Sequence, residues 1–256
     1  MKVVAVIPAH LASIRFPNKI LLELNEISMI EHVRMRAVLS GAFSEVYVVT
    51  CDLEVAEAID QAGGKVIMTS DDHKNGTTRA AEAVINIDCT HVVLIQGDEP
   101  LILPDQLRTF ASTISDRPEV DCWNLTSPVS ELTELDDKST VKCAVAEDGR
   151  IIYCFRRSPS HAPLANQLTY MHKIQGLVGF RKGSLLSVSA MPPSIIEESE
   201  FIEQMRIVNA GSLLFYSVAS QTSLPSINIV GDEVVVIDML KNDSEQIEIQ
   251  ARYRTL

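Results

Sequence analysis

The sequence lacks the two glycine-rich patterns that commonly mark a phosphate-binding turn. No G-x-G-x-x-G follows the first apolar run, so a dinucleotide-binding oxidoreductase is disfavoured. No G-x-x-x-x-G-K-[ST] occurs either, which argues against a P-loop enzyme. If the protein binds phosphate, it must use a loop of another kind.

Long hydrophobic runs are also missing. No apolar run approaches the roughly 20 residues that a membrane-spanning helix needs. The first apolar run is short, is preceded only by the charge of Lys2 and ends at Pro8, which is unlike a signal peptide. The sequence therefore predicts a cytoplasmic protein.

Positive charge is scarce. The 256 residues include 22 Lys and Arg against 34 Asp and Glu, a formal net charge of −12. Nucleic acids and anionic membranes need a basic surface, so we expect neither as a partner. The overall field would also repel an anionic small molecule, so local cations or a bound Mg²⁺ would have to overcome that repulsion.

The spacing of the cysteines indicates neither a disulfide framework nor a zinc site. There are five cysteines, an odd number, and no pair has C-x-x-C spacing. We expect them to be buried thiols in strands and helices.

Strand and helix signals alternate along the chain. Runs of Val and Ile separated by segments of helical spacing indicate a parallel sheet that is covered on both faces. Strands are predicted at 3–7, 46–50, 65–68 and 91–96, and helices at 28–39, 53–62 and 77–87. After residue 104 the pattern is less regular, with strands predicted at 141–146, 151–155, 176–180 and 234–237, helices at 201–209 and 245–252, and a loop at 161–167.

These elements predict an α/β fold. We expect a three-layer α/β/α sandwich with a mainly parallel, Rossmann-like sheet. No linker or repeat is visible, so residues 1–256 are interpreted as one domain with an irregular insertion around 150–200.

The first loop of the chain carries two cations. The predicted first strand ends at Pro8, and Arg15 and Lys19 follow in the loop before the first helix. Open α/β sheets bind ligands at the carboxyl ends of their strands. Two cations there predict an anionic ligand, and phosphate is the usual anion at such a site.

A carboxylate is predicted at the same edge. The segment Gln96–Pro100 ends an apolar strand, which places Asp98 near the cations of the first loop. Such a carboxylate can hold the Mg²⁺ of a nucleotide, although an Asp that only caps the next turn would have the same local sequence. Asp238 follows the strand predicted at 234–237 and could complete the metal site, but strands often end in Asp.

A third loop precedes the helix predicted at 77–87. Gly76 permits a close approach of a ligand, and Asn75 or Thr77 could cap the helix. Exposed amides there could contact a base or a phosphate, but an ordinary helix N-cap explains the same residues.

Four sequence motifs occur in a fixed order. They follow the patterns I-P-A-R-x-x-S-[ST]-R-[LF]-P-x-K, H-x-S-G-T-[DE]-R, Q-G-D-E-P and P-S-x-x-E-x-x-E-x-[LI]-E-Q-[LM]-R. The matching residues are Ile7, Pro8, Ala9, Ser13, Arg15, Phe16, Pro17 and Lys19; His73, Gly76, Thr77 and Arg79; Gln96 to Pro100; and Pro193, Ser194, Glu197, Glu200, Ile202, Glu203, Gln204, Met205 and Arg206. With an R-S-P at Arg157 to Pro159, the chain resembles the 3-deoxy-manno-octulosonate cytidylyltransferases (CMP-KDO synthetases), a branch of the sugar nucleotidyltransferases.

The resemblance implies an activity. Such an enzyme converts CTP and a 2-keto-3-deoxy acid sugar, KDO or a related one, to the CMP-sugar and pyrophosphate. It requires Mg²⁺, and the anomeric hydroxyl of the sugar attacks the α-phosphate in line. The resemblance also implies a homodimer with a dimerisation arm around 150–200 and a role in lipopolysaccharide biosynthesis.

The resemblance assigns roles to individual residues. The catalytic residues are Arg15, Lys19, Asp98 and Asp238, and Asp98 and Asp238 also bind Mg²⁺. The nucleotide-binding residues are Pro8, Ala9, His10, Ser13, Asn75, Gly76, Thr77, Arg79 and Gln96. The acid sugar is bound by Arg157, Glu203 and Gln204.

The chain departs from the family's pattern at four places. His10 stands where the family has Arg, so the charge at this position depends on pH. In the second motif Thr78 replaces an acidic residue and Asn75 replaces a serine, and in the later arm Ile174 replaces a histidine of the sugar pocket. The closing motif V-D-T-P-x-D-L is reduced to 237–240, which contains only Asp238.

The departures leave two alternatives open. One is a cytidylyltransferase of the same fold that activates a different acid in a specialised glycan or secondary-metabolite pathway. The other is a weakly active or inactive paralogue that binds nucleotide.

Overall fold

A computed structural model describes residues 1–13 and 16–253. By its contacts, this part of the chain divides into two compact units, one from the described residues of Met1–Ser112 and Leu224–Leu256 (unit 1) and one from Thr113–Ser223 (unit 2). The organisation as a single domain stays a prediction.

The strands are β1 (Val3–Pro8), β2 (Glu23–Leu24), β3 (Ile27–Ser28), β4 (Glu45–Thr50), β5 (Lys65–Met68), β6 (His91–Ile95), β7 (Cys122–Pro128), β8 (Lys142–Val145), β9 (Ile151–Phe155), β10 (Met171–Arg181) and β11 (Phe215–Ala219). The α-helices are α1 (Met29–Ser40), α2 (Leu53–Gln61), α3 (Gly76–Val84), α4 (Pro104–Asp116), α5 (Leu164–Gln167), α6 (Lys182–Ala190), α7 (Ile195–Glu200), α8 (Met205–Ala210), α9 (Asp232–Asn242) and α10 (Ser244–Tyr253). Lys19–Leu21 and Leu132–Leu135 form short 3₁₀ helices. No helix within the described ranges is both long and apolar enough to cross a bilayer.

Unit 1 contains a parallel sheet. β1 pairs in parallel with β4 and β6, and β4 pairs in parallel with β5, so the order is β6–β1–β4–β5. Residues Val4 to Ile7 of β1 are fully buried, because this strand has a neighbour on each side and is apolar on both faces. The carboxyl ends of β1, β4 and β6 therefore lie at one edge of the sheet.

Helices cover both faces of this sheet. The connections β1–α1–β4 and β4–α2–β5 move along the sheet in one direction, and β5–α3–β6 returns in the other. Because parallel crossovers are right-handed, α1 and α2 pack on one face and α3 on the opposite face. The predicted α/β class with a mainly parallel sheet is confirmed.

The buried face and the C-terminal end of helix α1 both follow from its sequence. Ile30, Val33 and Ala37 recur at helical spacing and are buried. The helix ends at Gly41, whose φ of 62° is left-handed and whose N–H donates to the carbonyl oxygen of Val38.

Unit 2 contains a mixed sheet. β7 pairs in parallel with β11 and antiparallel with β10, and β8 pairs antiparallel with both β10 and β9. The strand predicted at 176–180 belongs to the 11-residue β10, whose pairing with β7 shifts register between Ile174 and Val178. The region around 150–200 is thus largely regular structure, because long-range pairing organises strands that are weak in sequence.

Three predictions of secondary structure were wrong in whole or in part. Residues 234–237 lie in α9 and not in a strand. β-branched residues suggested a strand, but burial falls on Val236 and Leu240, which are four residues apart as on one face of a helix. The loop predicted at 161–167 contains the single turn of α5, and the helix predicted at 201–209 begins only at Met205.

Candidate active site

Lys19 is buried beside Asp98 at the carboxyl edge of the unit 1 sheet. Its Nζ donates to Asp98 Oδ2 at 2.6 Å and to the backbone oxygen of Ile227 at 2.7 Å. The N–H of Ile227 donates in turn to the backbone oxygen of Asp98 at 3.1 Å. These contacts join the first loop, the end of β6 and the segment before α9 in one cluster.

Two glycines allow the predicted motifs to meet around Pro8. A Cβ added to Gly97 would lie 2.9 Å from the backbone oxygen of Pro8, and one added to Gly76 would lie 3.2 Å from its Cγ. Only a residue without a side chain allows the first approach without a shift of the backbone. The structure thus brings together the first loop, the start of α3 and the turn that carries Asp98, as the sequence predicts.

The third loop is organised as a helix N-cap. Asn75 Oδ1 accepts the N–H of Thr78 at 2.9 Å, which satisfies one of the free donors at the start of α3. The guanidinium of Arg79 is buried and donates to Thr69 Oγ1 at 2.6 Å and to the backbone oxygen of Ser70 at 3.1 Å. Asn75 and Arg79 thus have structural roles, and nucleotide binding by this loop, including Gly76 and the buried Thr77, stays a prediction.

His10 has different neighbours from those expected of a phosphate contact. Its Nδ1 lies 3.0 Å from Asp52 Oδ2 and 3.4 Å from Cys51 Sγ. Asp52 Oδ2 also accepts the N–H of Leu11 at 2.9 Å. Burial raises the pKa of Asp52, but the hydrogen bonds from Leu11 and His10 outweigh it, so this pKa lies below its ordinary value.

The other residues of the first motif, and Gln96 of the third, have mainly backbone contacts. The N–H of Ala9 donates to the carbonyl oxygen of Val49 at 2.9 Å, and Ser13 Oγ accepts the N–H of Phe16 at 3.4 Å. The carbonyl oxygen of Gln96 accepts the N–H of Glu99 at 3.3 Å. Arg15 lies outside the described residues, so its role stays a prediction.

Asp238 does not lie at the end of a strand. It is exposed on α9, and its Oδ1 accepts a hydrogen bond from Asn242 Nδ2 at 2.7 Å, one turn along the same helix. The placement of Asp238 with Asp98 relied on a strand at 234–237, and that strand is absent from this described segment. Its assignment as a metal ligand stays a prediction that has lost its structural basis.

The segment that does run beside Asp98 is Ile227–Asn228, which the sequence reasoning missed. Asp232 Oδ2 accepts the N–H groups of Asn228 at 2.8 Å and Ile229 at 2.9 Å, so the aspartate holds this turn closed at the start of α9. Residues 227–233 (I-N-I-V-G-D-E) can be aligned with V-D-T-P-x-D-L through Asp232, and the position of Ile227 beside Asp98 favours this alignment over the one at 237–240. The first Asp of the motif is then Asn228, and the surviving second Asp at 232 was the available signal.

The predicted sugar-binding residues lie in unit 2. Gln204 directly precedes α8, and its Nε2 donates to Asn124 Oδ1 at 3.2 Å. Glu203 is partly buried next to it, and Arg157 is exposed after β9. The structure therefore gives Gln204 a fixed position, and sugar binding by all three residues stays a prediction.

Asn124 and Gln175 are further polar residues of this region that the sequence reasoning missed. Asn124 is fully buried in β7 and donates through Nδ2 to the backbone oxygen of Gln175 at 2.9 Å. Gln175 Nε2 donates to Ser127 Oγ at 2.9 Å. A buried amide that is bonded on both sides holds its neighbours in place, and only the pairing of β7 with β10 brings these residues together.

Part of the fourth motif serves the fold. Glu197 accepts from Arg206 through both carboxylate oxygens, at 2.6 Å and 2.8 Å, and both side chains are buried. Ser194 and Glu197 also form a capping box at the start of α7. The role of Glu197 is therefore structural.

The fold and these motifs define a sugar nucleotidyltransferase. Residues 4–218 match the family described as Cytidylyltransferase, and the chain belongs to this family.

Individual proteins of known function are also similar to this chain. The 3-deoxy-manno-octulosonate cytidylyltransferase of Escherichia coli is 36% identical over 210 residues, which cover 82% of this chain and 85% of that protein. The enzyme of the same name from Geobacter metallireducens is 35% identical over 241 residues, 90% of this chain and 93% of that one. A solved structure of CMP:2-keto-3-deoxy-manno-octonic acid synthetase complexed with CTP superimposes with a TM-score of 0.88 at 31% identity, covering 95% of this chain and all of that one. The predicted family resemblance is confirmed.

Proposed function

We propose that this protein is a Mg²⁺-dependent cytidylyltransferase that converts CTP and KDO, or a closely related acid sugar, to the CMP-sugar and pyrophosphate. The observation that carries the proposal is the Lys19–Asp98 pair at the carboxyl edge of the sheet, in a chain that belongs to the cytidylyltransferases. The names of its close relatives support KDO as the acid.

The proposal assigns the triphosphate of CTP to Lys19. The backbone oxygen of Ile227 holds the Lys19 ammonium from one side. On the other side, a phosphate oxygen can take the place of the Asp98 carboxylate as its hydrogen-bond acceptor. A fixed cation is worth most where negative charge develops, here on the α-phosphate and the departing pyrophosphate. The lysine therefore stabilises the transition state without having to be reoriented.

The residues at this edge fit a bound Mg²⁺. Mg²⁺ prefers oxygen ligands and is usually held by one or two carboxylates together with substrate phosphates. Asp98 is partly exposed, and its ion pair with Lys19 uses Oδ2. Its Oδ1 therefore remains available as a ligand for the metal. When bound there, Mg²⁺ would neutralise phosphate charge. We leave Asp238 out of this ligand set, because the strand that was expected to place it beside Asp98 is part of α9 instead.

The proposal assigns the acid sugar to unit 2. Gln204 is held by the buried amide of Asn124 and can present its carbonyl to a sugar hydroxyl. Arg157 is exposed and can form a bidentate pair with the sugar carboxylate. Ile174, which replaces a histidine, is the observation that favours the alternative of a different acid.

Pyrophosphate release from CTP and Mg²⁺ across a panel of acid sugars tests the proposal. We expect turnover with KDO. Turnover only with another acid would move the assignment to the second function, a cytidylyltransferase of a specialised pathway. CTP binding without turnover of any acid would indicate an inactive paralogue. The homodimer, the lipopolysaccharide pathway and the cytoplasmic location stay predictions.

A further inference from the structure

One cluster of metal-ligating side chains does not include Asp98. Among the described residues, His10, Cys51 and Asp52 form the one group of three whose ligand atoms all lie within 4.8 Å of one another. They come from the ends of β1 and β4, two neighbouring strands whose register is set by pairs such as Pro8 with Val49. All three side chains are partly buried, so an ion can reach them from solvent.

We propose that His10 Nδ1, Cys51 Sγ and an oxygen of Asp52 form a binding site for a divalent transition metal of the Zn²⁺ class. This inference is independent of the proposed function and concerns a different ion from Mg²⁺. It also revises the expectation from cysteine spacing, because the third ligand comes from a distant part of the chain.

The distances suit such an ion. Zinc binds sulfur at about 2.3 Å and nitrogen or oxygen at about 2.0–2.2 Å, so neighbouring ligands of a tetrahedral site lie roughly 3.3–3.7 Å apart. The separation of His10 Nδ1 from Cys51 Sγ is 3.4 Å, and that of His10 Nδ1 from Asp52 Oδ2 is 3.0 Å. Small side-chain rotations would bring the three atoms into coordination.

The ligand types select the metal. A thiolate, a neutral imidazole and a carboxylate together carry a charge of −2 and neutralise a divalent ion. Sulfur and imidazole ligands favour zinc and its neighbours, whereas Mg²⁺ prefers oxygen alone. Three protein ligands leave the fourth position open to water or another ligand, as in catalytic zinc sites.

Neighbouring groups affect metal binding at this site in two opposite ways. The N–H of Leu11 donates to Asp52 Oδ2, and the N–H of Asp52 donates to Thr50 Oγ1 at 3.0 Å, which orients the carboxylate. An ionised Asp52 carboxylate can only accept a hydrogen bond. Without metal, His10 Nδ1 must therefore carry the proton of the hydrogen bond between His10 and Asp52. Metal binding displaces this proton and that of the Cys51 thiol to solvent. The positive charge of Arg79 acts on Asp52 and works against the ion.

Cobalt titration of the whole metal-free protein tests the proposal. We expect one Co²⁺ per chain with a near-ultraviolet thiolate-to-cobalt charge-transfer band, bleached when Zn²⁺ is added. Cys51→Ser should abolish the band, and His10→Gln and Asp52→Asn should weaken Co²⁺ affinity at least about tenfold. Cys89→Ser is the matched control and should keep the band, because this buried cysteine lies outside the cluster. Circular dichroism verifies that each variant is folded.

A second measurement does not depend on the variants. Cys51 is partly exposed whereas Cys89, Cys122, Cys143 and Cys154 are buried, so alkylation should modify Cys51 first. Micromolar Zn²⁺ should slow this modification at least about tenfold, and Mg²⁺ should not. Absence of a charge-transfer band, its survival in Cys51→Ser, or equal alkylation with and without Zn²⁺ would overturn the proposal. None of these readouts requires CTP or an acid sugar, so a failure here is distinct from a failure of the proposed function.

Discussion

Lys19 Nζ lies 2.6 Å from Asp98 Oδ2, although the two residues are 79 positions apart in the chain. The lysine side chain is 9% exposed and the aspartate side chain 23%. The pair therefore sits at the edge of solvent, where a nucleotide can reach it and where a charge is less screened than on an open surface. The contact holds both side chains in position before substrate arrives.

The first prediction concerns Asp98. Because Asp98→Asn removes the charge of the proposed metal ligand but keeps the shape of the side chain, we expect kcat to fall at least about 10³-fold, roughly 4 kcal/mol of transition-state stabilisation. Steady-state pyrophosphate release measures it. The control is Asp88→Asn, which removes an exposed carboxylate paired with Lys2 and should leave kcat unchanged. Wild-type turnover in Asp98→Asn would contradict the assignment.

The second prediction concerns Lys19. Lys19→Met keeps the length of the side chain but removes the charge, so we expect kcat/KM for CTP to fall about 10²–10³-fold, as when one fixed donor to a developing charge is lost. Lys65→Met is the matched control, because Lys65 pairs with Glu45 in an exposed position. Equal kinetics for the two variants would show that the Lys19 charge serves only the fold.

The third prediction separates Asn228 from Asp238. The N–H of Ile227 donates a hydrogen bond to the backbone oxygen of Asp98. A carboxylate at the next residue, 228, would therefore add negative charge near the proposed metal. We expect Asn228→Asp to lower the Mg²⁺ concentration needed for half-maximal activity and Asp238→Asn to leave it unchanged. Mg²⁺ titrations of pyrophosphate release measure both. A raised Mg²⁺ requirement in Asp238→Asn would instead restore that residue as a ligand.

The fourth prediction concerns the close approach at Gly97. Gly97→Ala would place a Cβ 2.9 Å from the backbone oxygen of Pro8, so the strand ends must move apart. We expect a loss of about 1–3 kcal/mol in the free energy of unfolding, measured by urea denaturation, and reduced turnover because Asp98 is adjacent. Gly183→Ala is the control: its Cβ would meet nothing within 4 Å, and it lies in α6. Equal stability of the two variants would contradict the close approach.

The fifth prediction concerns His32, which is fully buried in α1. Its Nε2 donates to the backbone oxygen of Leu24 at 2.7 Å. Burial lowers the pKa of His32 to about 4, against an effect of the Leu24 hydrogen bond that raises it. The unfolded value is near 6.5. Between these values the unfolded chain binds more protons, so the stabilisation is complete above pH about 6.5 and is lost as the pH falls towards about 4.

Urea unfolding at two pH values measures this effect. Between about pH 7.5 and pH 5, we expect the wild type to lose about 2 kcal/mol more unfolding free energy than His32→Gln, whose side chain does not titrate. His161→Gln, at an exposed position, should follow the wild type. The same pH dependence in His32→Gln and the wild type would contradict the lowered pKa.

Local sequence patterns were enough to predict the α/β class, the strand–helix order of the first 100 residues and the position of Asp98 at a strand end. These features follow from local periodicity and from the rule that parallel strands share a carboxyl edge. The same reasoning failed at 234–237, because β-branched residues favour a strand in isolation while tertiary packing buries Val236 and Leu240 on one helical face.

The contacts between side chains that are distant in the chain could be known only from the three-dimensional fold. Lys19 contacts the backbone of Ile227, 208 residues away, and His10 contacts Asp52, 42 residues away. Strand pairing and the return of the C-terminal segment to the sheet of unit 1 bring these residues together. Local sequence carries no record of such contacts, since side-chain distance across a sheet depends on register and not on spacing along the chain.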